Sequence, residues 1–439
     1  MAGIFKAYDI RGIYGKDIDA ATVLKIGRAF ATFVKCKKVV VGRDMRPHSE
    51  PLFQALAEGL TMHGAEVIDI GLCSTPMSYY ANGILGADAS VMITASHNPG
   101  EWNGMKLCRS QGIPISGATG IADIENIVNS GKFDPPAAKK GTVSTYDIMP
   151  EYKKHVAKMA HLKRPVKIVA DFANSMGIYE AKTLEGILEM DRMFDTLDGT
   201  FPNHEANPLD THTLHAIQER IKHGKYDFGV AFDGDADRAG FIDEKGNVVA
   251  MDIITSLIAQ DLLATTKGVI GYDLRSSWVV KEIIEANGGT PMMSRVGHAF
   301  IKQQMRDKDA IFAGELSGHY YFKDNFYTES SAMATLCVAN IISRSDKPLS
   351  ELIKPIKKYF ASGEINSKVA DTAKVLDILK KKYSDGRFFQ LDGISVEYAD
   401  WWFNVRSSNT EPLIRLNLEA KNLPLMEAKR DELLSVIRA

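Results

Sequence analysis

Residues 228–238, FGVAFDGDADR, decide the reading of this chain. The first five form a short apolar run of the kind that fills a strand buried on both faces. The run ends in three carboxylates at alternate positions, Asp233, Asp235 and Asp237, in a tight turn. The mouth of a buried strand is where α/β folds place their ligands. Similar runs stand at 38–41, 166–169 and 268–270, each leading within a few residues into an acidic residue or a glycine-rich turn. A further run, 91–93, leads into a polar loop. Helical patterns over 20–35, 51–63, 211–223 and 251–265 lie between them, and this alternation implies α/β architecture.

A weak internal repeat runs through these strands. Asp44, Asp171 and Asp273 each close an apolar strand at domain-sized intervals, which suggests three related α/β units. The tail from about 362 differs, with strand-like pieces at 388–399, 401–406 and 413–419 before a helix at 424–438; it reads as a smaller α+β domain. A linker-like stretch at 131–143, a hairpin-like turn at 243–250 and a third candidate boundary at 358–366 set the expected domains at 1–142, 143–248, 249–360 and 361–439.

Composition narrows the function. A chain of 439 residues has room for two to four domains. With 53 basic and 55 acidic residues, its net charge of −2 argues against a general nucleic-acid binder. The four cysteines, Cys36, Cys73, Cys108 and Cys337, form no C-x-x-C and suit a reducing compartment. No stretch reaches the ~18 apolar residues of a membrane span, and Lys6, Asp9 and Arg11 interrupt any leader-like run. The expectation is a soluble, cytoplasmic protein without a membrane or nucleic-acid partner.

Four segments carry chemistry. In Thr94-Ala-Ser-His-Asn-Pro99, Ser96 at a strand mouth is placed for a nucleophile, although a Ser/Asn turn before proline has the same composition. No G-x-S-x-G elbow surrounds it. The Asp233 loop resembles the start of a calcium hand, but Arg238 stands where that loop needs glycine. A solvated acidic turn and a magnesium site are the other readings. A magnesium site leaves positions for phosphate oxygens. Gly314-Glu-Leu-Ser-Gly-His319 offers a carboxylate, a hydroxyl and an imidazole for a polyol, or a turn with a structural histidine. Arg406-Ser-Ser-Asn-Thr-Glu-Pro412 reads as a phosphate cradle or a hairpin turn.

In this order, the four segments resemble those of the α-D-phosphohexomutase superfamily: T-A-S-H-N-P, D-G-D-x-D-R, G-E-x-S-G-H and R-x-S-N-T-x-P. Residues 7–12, 41–44 and 103–106 resemble further family segments. The resemblance spans nearly the whole chain. It implies three similar α/β domains with mixed sheets, a TATA-binding-protein-like α+β fourth domain, and a central active-site cleft. The subgroup it resembles most is bacterial phosphomannomutase/phosphoglucomutase, with phosphoglucosamine mutase as the alternative. Leu316 fills the variable position of the sugar loop, where the hexose enzymes usually carry Met and the glucosamine enzymes Gln.

The resemblance also implies the roles. Ser96 carries phosphate, and Mg²⁺ is held by Asp233, Asp235, Asp237 and the phosphate on Ser96. Hexose 1,6-bisphosphate is intermediate and activator, and a hexose monophosphate is the substrate. Glu315, Ser317 and His298 contact the sugar. Arg406, Ser408, Asn409 and Thr410 hold the phosphate that is not reacting. Lys106, Arg11 and Arg238 supply positive charge, and His97 steadies the Ser96 loop. His319 is the candidate general acid/base, with Lys106 as runner-up. A monomer or weak homodimer is expected.

Overall fold

Each of the three repeated strand ends closes in the same way. Asp44 accepts from the backbone N–H of Arg46, Asp171 from that of Ala173 and Asp273 from that of Arg275, so each carboxylate caps the turn two residues on. The computed structural model describes residues 3–407 and 413–439. It arranges these strands in three successive mixed sheets. In the first, Ile10–Ile13, Trp102–Arg109, Ala89–Ile93, Lys38–Arg43, Glu66–Leu72 and Val143–Thr145 lie in that spatial order. In the second the order is Val248–Val249, Ala239–Asp243, Phe228–Phe232, Lys167–Asp171 and Glu189–Met193. In the third it is Thr290–Ser294, Val269–Asp273, Phe312–Gly314, Tyr320–Phe322 and Thr328–Glu329. Each of these three sheets is parallel toward one edge and antiparallel toward the other.

The fourth sheet is antiparallel throughout. Its strands alternate cleanly. Trp401, Phe403 and Val405 pack into the domain's own core with Ile414, Leu416 and Leu418. The intervening Trp402, Asn404 and Arg406, with Arg415, Asn417 and Glu419, therefore share the opposite face.

Three expectations change. The piece at 388–399 is two antiparallel strands, Arg387–Phe389 and Ile394–Glu397, because Gly393 at φ 68° turns the chain between them. Val143–Thr145, placed at the start of the second domain by sequence, pairs with Glu66–Leu72 as an edge of the first sheet. Much of the boundary stretch 358–366 already belongs to the fourth sheet: Phe360–Ala361 and the start of Ile365–Lys368 pair with Leu413–Ala420. No helix among the described residues is long and apolar enough to cross a membrane.

One apolar core runs through the first three domains and takes in most of residues 251–259 of helix Met251–Thr265 and nearly all of helix Ser331–Ser343. A buried carboxylate ties them together. Glu180, from the second domain, accepts from Ser74 Oγ and Tyr152 Oη and from the N–H of Ala332 in the third. Burial pushes Glu180 up to about 7 despite these donors. The folded protein thus keeps a proton that the unfolded chain loses from about pH 4.5 upward. This stabilisation is full below that pH and is lost as pH rises through about 7, a change of roughly 3 kcal/mol. Thermal unfolding of Glu180→Gln should accordingly show a flatter fall of Tm between pH 5 and 7 than the parent. Parallel curves would show that Glu180 is ionised in the folded state.

Candidate active site

Ser96 follows Ala89–Ile93 in the left-handed region at φ 51°, a conformation that costs a non-glycine residue energy and must be held by its surroundings. The holder is Arg46. Its guanidinium donates to four backbone carbonyls, those of Ser96 (3.0 Å), Asn98 (2.6 Å), Pro99 (2.6 Å) and Trp102 (2.9 Å). Asp44, at 3.1 Å and equally buried, balances the charge. The backbone N–H of Ser96 donates to Thr94 Oγ1. The loop is therefore clamped, and Ser96 Oγ points at the second domain, donating to Asp233 Oδ2 at 2.9 Å. His97 Nδ1 lies 3.3 Å from the same hydroxyl. Arg238, burial and Arg11 hold the His97 imidazole well below its ordinary pKa. Arg11 donates to Asn98 Oδ1 at 2.5 Å and pairs with Asp9.

The three aspartates of 228–238 converge, with one oxygen of each within 4.8 Å of the others, all buried. The turn comes close enough to the serine loop that a Cβ on Gly234 would sit 2.1 Å from the carbonyl oxygen of Ser96. Lys106, buried on Trp102–Arg109, donates to Asp235 at 2.6 Å and also to Asp237. Thr75 Oγ1 donates to Asp235 at 2.5 Å. Burial, and then the charges of Asp237 and Asp235, push Asp233 above the usual carboxylate range. Burial acts the same way on Asp237, but Lys106 and His319 overcome it and hold it well below that range. Arg238 lies 3.7 Å from Asp233 and His319 3.3 Å from Asp237, so among the described residues only Asp235 depends on Lys106 alone. Asp235 Oδ1 is buried with no hydrogen-bond donor among the described residues. An orphaned carboxylate oxygen in an all-oxygen cluster fits a hard divalent cation.

The third domain supplies Glu315, Ser317 and His319 between Phe312–Gly314 and Tyr320–Phe322. His319 lies between two carboxylates, Nδ1 at 3.2 Å from Glu315 and Nε2 at 3.3 Å from Asp237. Ser317 Oγ is 2.9 Å from the same Nδ1. Burial and Arg238 work against the imidazolium, but Asp237 and Glu315 outweigh them and push His319 up to about 9. The N–H of Gly297 donates to Glu315, which brings the loop before His298 to the sugar segment. His298 Nδ1 faces Glu329 at 3.9 Å, and Glu329 pairs with the fully buried Lys302 at 2.6 Å.

From the fourth domain, Arg406 donates to Glu364 at 2.7 Å, Arg415 donates to it at 3.1 Å, and Arg275 of the third domain lies 3.5 Å away. Among the described residues, three guanidiniums share that carboxylate, and Asp273 pairs with Arg275 beside it. Ser408, Asn409 and Thr410 lie outside the described residues. Sequence reading missed Arg46, Thr75, Lys302, Glu329 and Glu364. Arg46 follows the segment 41–44 already singled out, but nothing in its spacing, or in that of Thr75, shows which distant loop it meets.

A buried serine opposed by an acidic triad, in a cleft made by three α/β domains and a small antiparallel fourth, defines a distinct class of four-domain α/β protein. Sequence models of all four domains of the phosphoglucomutase/phosphomannomutase family match, at residues 2–135, 150–246, 250–359 and 364–435. The chain belongs to that family. It is 41% identical to a phosphomannomutase of Escherichia coli strain K12, covering 99% of this chain and 98% of that protein. It is 40% identical to a phosphomannomutase of Methanocaldococcus jannaschii, covering 99% and 97%. Among solved structures, a phosphoglucomutase/phosphomannomutase family protein of Burkholderia thailandensis superposes with a TM-score of 0.91 at 31% identity, covering 99% of this chain and 96% of that one.

Proposed function

We propose that this chain is a phosphomannomutase, active also on glucose phosphates, that moves phosphate between C6 and C1 of a hexose through a phosphorylated Ser96. The observation that carries the reading is the hydrogen bond of Ser96 Oγ to Asp233 within the acidic triad. Full-length relatives at about 40% identity named phosphomannomutase support it. Asp233, Asp235 and Asp237 would hold Mg²⁺, which supplies charge neutralisation for the leaving phosphoryl group.

The chain's own residues do the rest. Arg46 fixes the strained loop so that Ser96 Oγ stays aimed at the triad. The free hydroxyl of a hexose monophosphate takes phosphate from Ser96, giving hexose 1,6-bisphosphate. The bisphosphate turns around in the cleft and returns its other phosphate to Ser96. Glu315 and Ser317 grip equatorial hydroxyls in either orientation. His319, between Glu315 and Asp237, must be neutral to take the proton of the attacking hydroxyl and, once charged, supplies a proton to the leaving oxygen. Sharing Asp237 with a cation would weaken its hold on the imidazolium and bring His319 toward the range in which it also accepts a proton.

Substrate choice is tested by comparing kcat/KM for mannose 1-phosphate, glucose 1-phosphate and glucosamine 1-phosphate with a bisphosphate activator present. Mannose and glucose phosphates should lead, and a clear preference for glucosamine 1-phosphate would overturn the assignment. In the same assay Arg406→Ala should raise KM ten- to a hundredfold, for a charged hydrogen bond worth ~1.5–3 kcal/mol, with kcat changed far less. An unchanged KM would remove Arg406 from the phosphate clamp.

A further inference from the structure

Besides the acidic turn, the stretch 194–204 of the second domain also reaches the serine loop. The backbones come so close that a Cβ on Gly199 would sit 2.6 Å from Cα of Arg46, and one on Gly100 2.8 Å from the carbonyl oxygen of Gly199. Phe201 is buried at this junction, packed with Met45, Ala173 and Ala206. The fully buried Arg46 guanidinium lies over its ring, 5.3 Å from the centroid, and a Cβ on Gly234 would meet Cζ of the ring at 3.7 Å. One aromatic ring thus stands beside both the arginine that clamps Ser96 and the turn that carries the triad.

The chain adopts this arrangement against its local preferences. Phe201 sits at φ 53°, in the left-handed region that a bulky side chain rarely enters. Pro202 after it favours an extended conformation instead. A backbone in such a region persists only where its surroundings over-determine it. Here Asn174, itself at φ 59°, uses its backbone and side-chain groups together on the stretch. Its N–H donates to the carbonyl of Phe194 at 3.1 Å, and its carbonyl accepts the N–H of Asp198 at 2.9 Å. Its side chain donates to the carbonyl of Thr196 at 2.8 Å and accepts from Asn203 at 2.6 Å. His204 Nε2 lies 3.2 Å from both oxygens of Asp171. The next residues along, Ser175 and Met176, donate to the carbonyls of Asp233 and Gly234 at 3.0 and 3.2 Å. The stretch and the acidic turn are therefore tied to one segment, 171–176, which sets the ring in place relative to the triad.

We propose that Phe201 is a positioning residue for the phosphoryl transfer: by covering the Arg46 guanidinium it keeps water from competing for the donors that hold the serine loop, and so keeps Ser96 Oγ aimed at the triad. That this aim serves phosphoryl transfer rests on the mutase reading above, whereas the cover over the loop does not.

Hydrogen exchange of the full-length protein without substrate, read by mass spectrometry, tests the cover. Phe201→Ala should speed exchange several-fold in a peptide spanning 94–102 while leaving helix Ala20–Val34 of the same domain at the parent's rate. In steady-state assays kcat should fall roughly ten- to a hundredfold with KM for mannose 1-phosphate within about threefold, the pattern of a reacting group displaced by about 1 Å while the substrate contacts are kept. Phe201→Leu, which keeps an apolar cover but no aromatic face, should lie between Phe201→Ala and the parent in both measurements. Should Phe201→Ala fail to fold, Phe201→Leu alone decides. Parent-like exchange over 94–102, or faster exchange spread evenly through the first domain, would overturn the cover. Faster exchange with kcat unchanged, or a loss confined to KM, would overturn the positioning role. Failure of the mutase reading would appear instead as no turnover of any hexose phosphate by the parent, with the exchange difference intact.

Discussion

Ser96→Ala should reduce kcat to below a few per cent of the parent while leaving the fold intact. The loss is large because the proposed mechanism passes every phosphoryl group through one oxygen. Without Oγ, neither half of the reaction has an acceptor on the protein. The fold should survive because the lost contact is one hydrogen bond to Asp233, worth about 1 kcal/mol. The strained φ of 51° is held by Arg46 through backbone carbonyls, and alanine keeps the same Cβ. Intact-mass measurement of active protein should find one phosphate, located by peptide analysis at Ser96, and none in the variant. Turnover above a few per cent in Ser96→Ala, with Tm unchanged, would place the phosphate carrier elsewhere.

What the sequence disclosed follows from how far apart the interacting groups lie along it. The threefold α/β plan was legible because each domain announces itself locally, by an apolar strand ending in Asp44, Asp171 or Asp273. The acidic triad was legible because its three members fit within five residues. Arg46 was not, although it is the mainstay of the serine loop: its acceptors lie fifty or more residues away, and an arginine before a proline has no pattern of its own. The buried pair Lys302 and Glu329 was hidden for a similar reason, since a lysine on a helix reads as solvated until the third sheet folds over it. The false continuous strand at 388–399 shows the limit of periodicity, which cannot see a turn that depends on the sign of φ at Gly393.

Removal of divalent cations should abolish turnover, and Mg²⁺ should restore it. The sharper test is the stability of Asp233→Asn. In the parent, three buried carboxylates crowd together: Lys106 is bonded to Asp235 and Asp237, His319 lies 3.3 Å from Asp237, and the cation nearest Asp233 is Arg238 at 3.7 Å. At Asp233, burial and the charges of Asp237 and Asp235 outweigh Arg238 and Lys106 and raise its pKa. Neutralising it removes like-charge repulsion and keeps an oxygen that can accept from Ser96, so the metal-free variant should melt at the same temperature as the parent or above it. The parent should gain Tm on adding Mg²⁺, because a ligand bound only by the folded state stabilises it by RT ln(1 + [L]/Kd), about 2.7 kcal/mol at a hundredfold excess over Kd. Asp233→Asn should lose most of that gain and nearly all turnover. Asp235→Ala should behave differently: it leaves Lys106 buried with one partner fewer, so it should also lower Tm without metal. Differential scanning fluorimetry with and without Mg²⁺, beside steady-state kinetics, separates these outcomes. A parent whose Tm ignores Mg²⁺ while chelator-treated enzyme keeps full turnover would leave the triad as a structural charge cluster and its proposed metal role untenable.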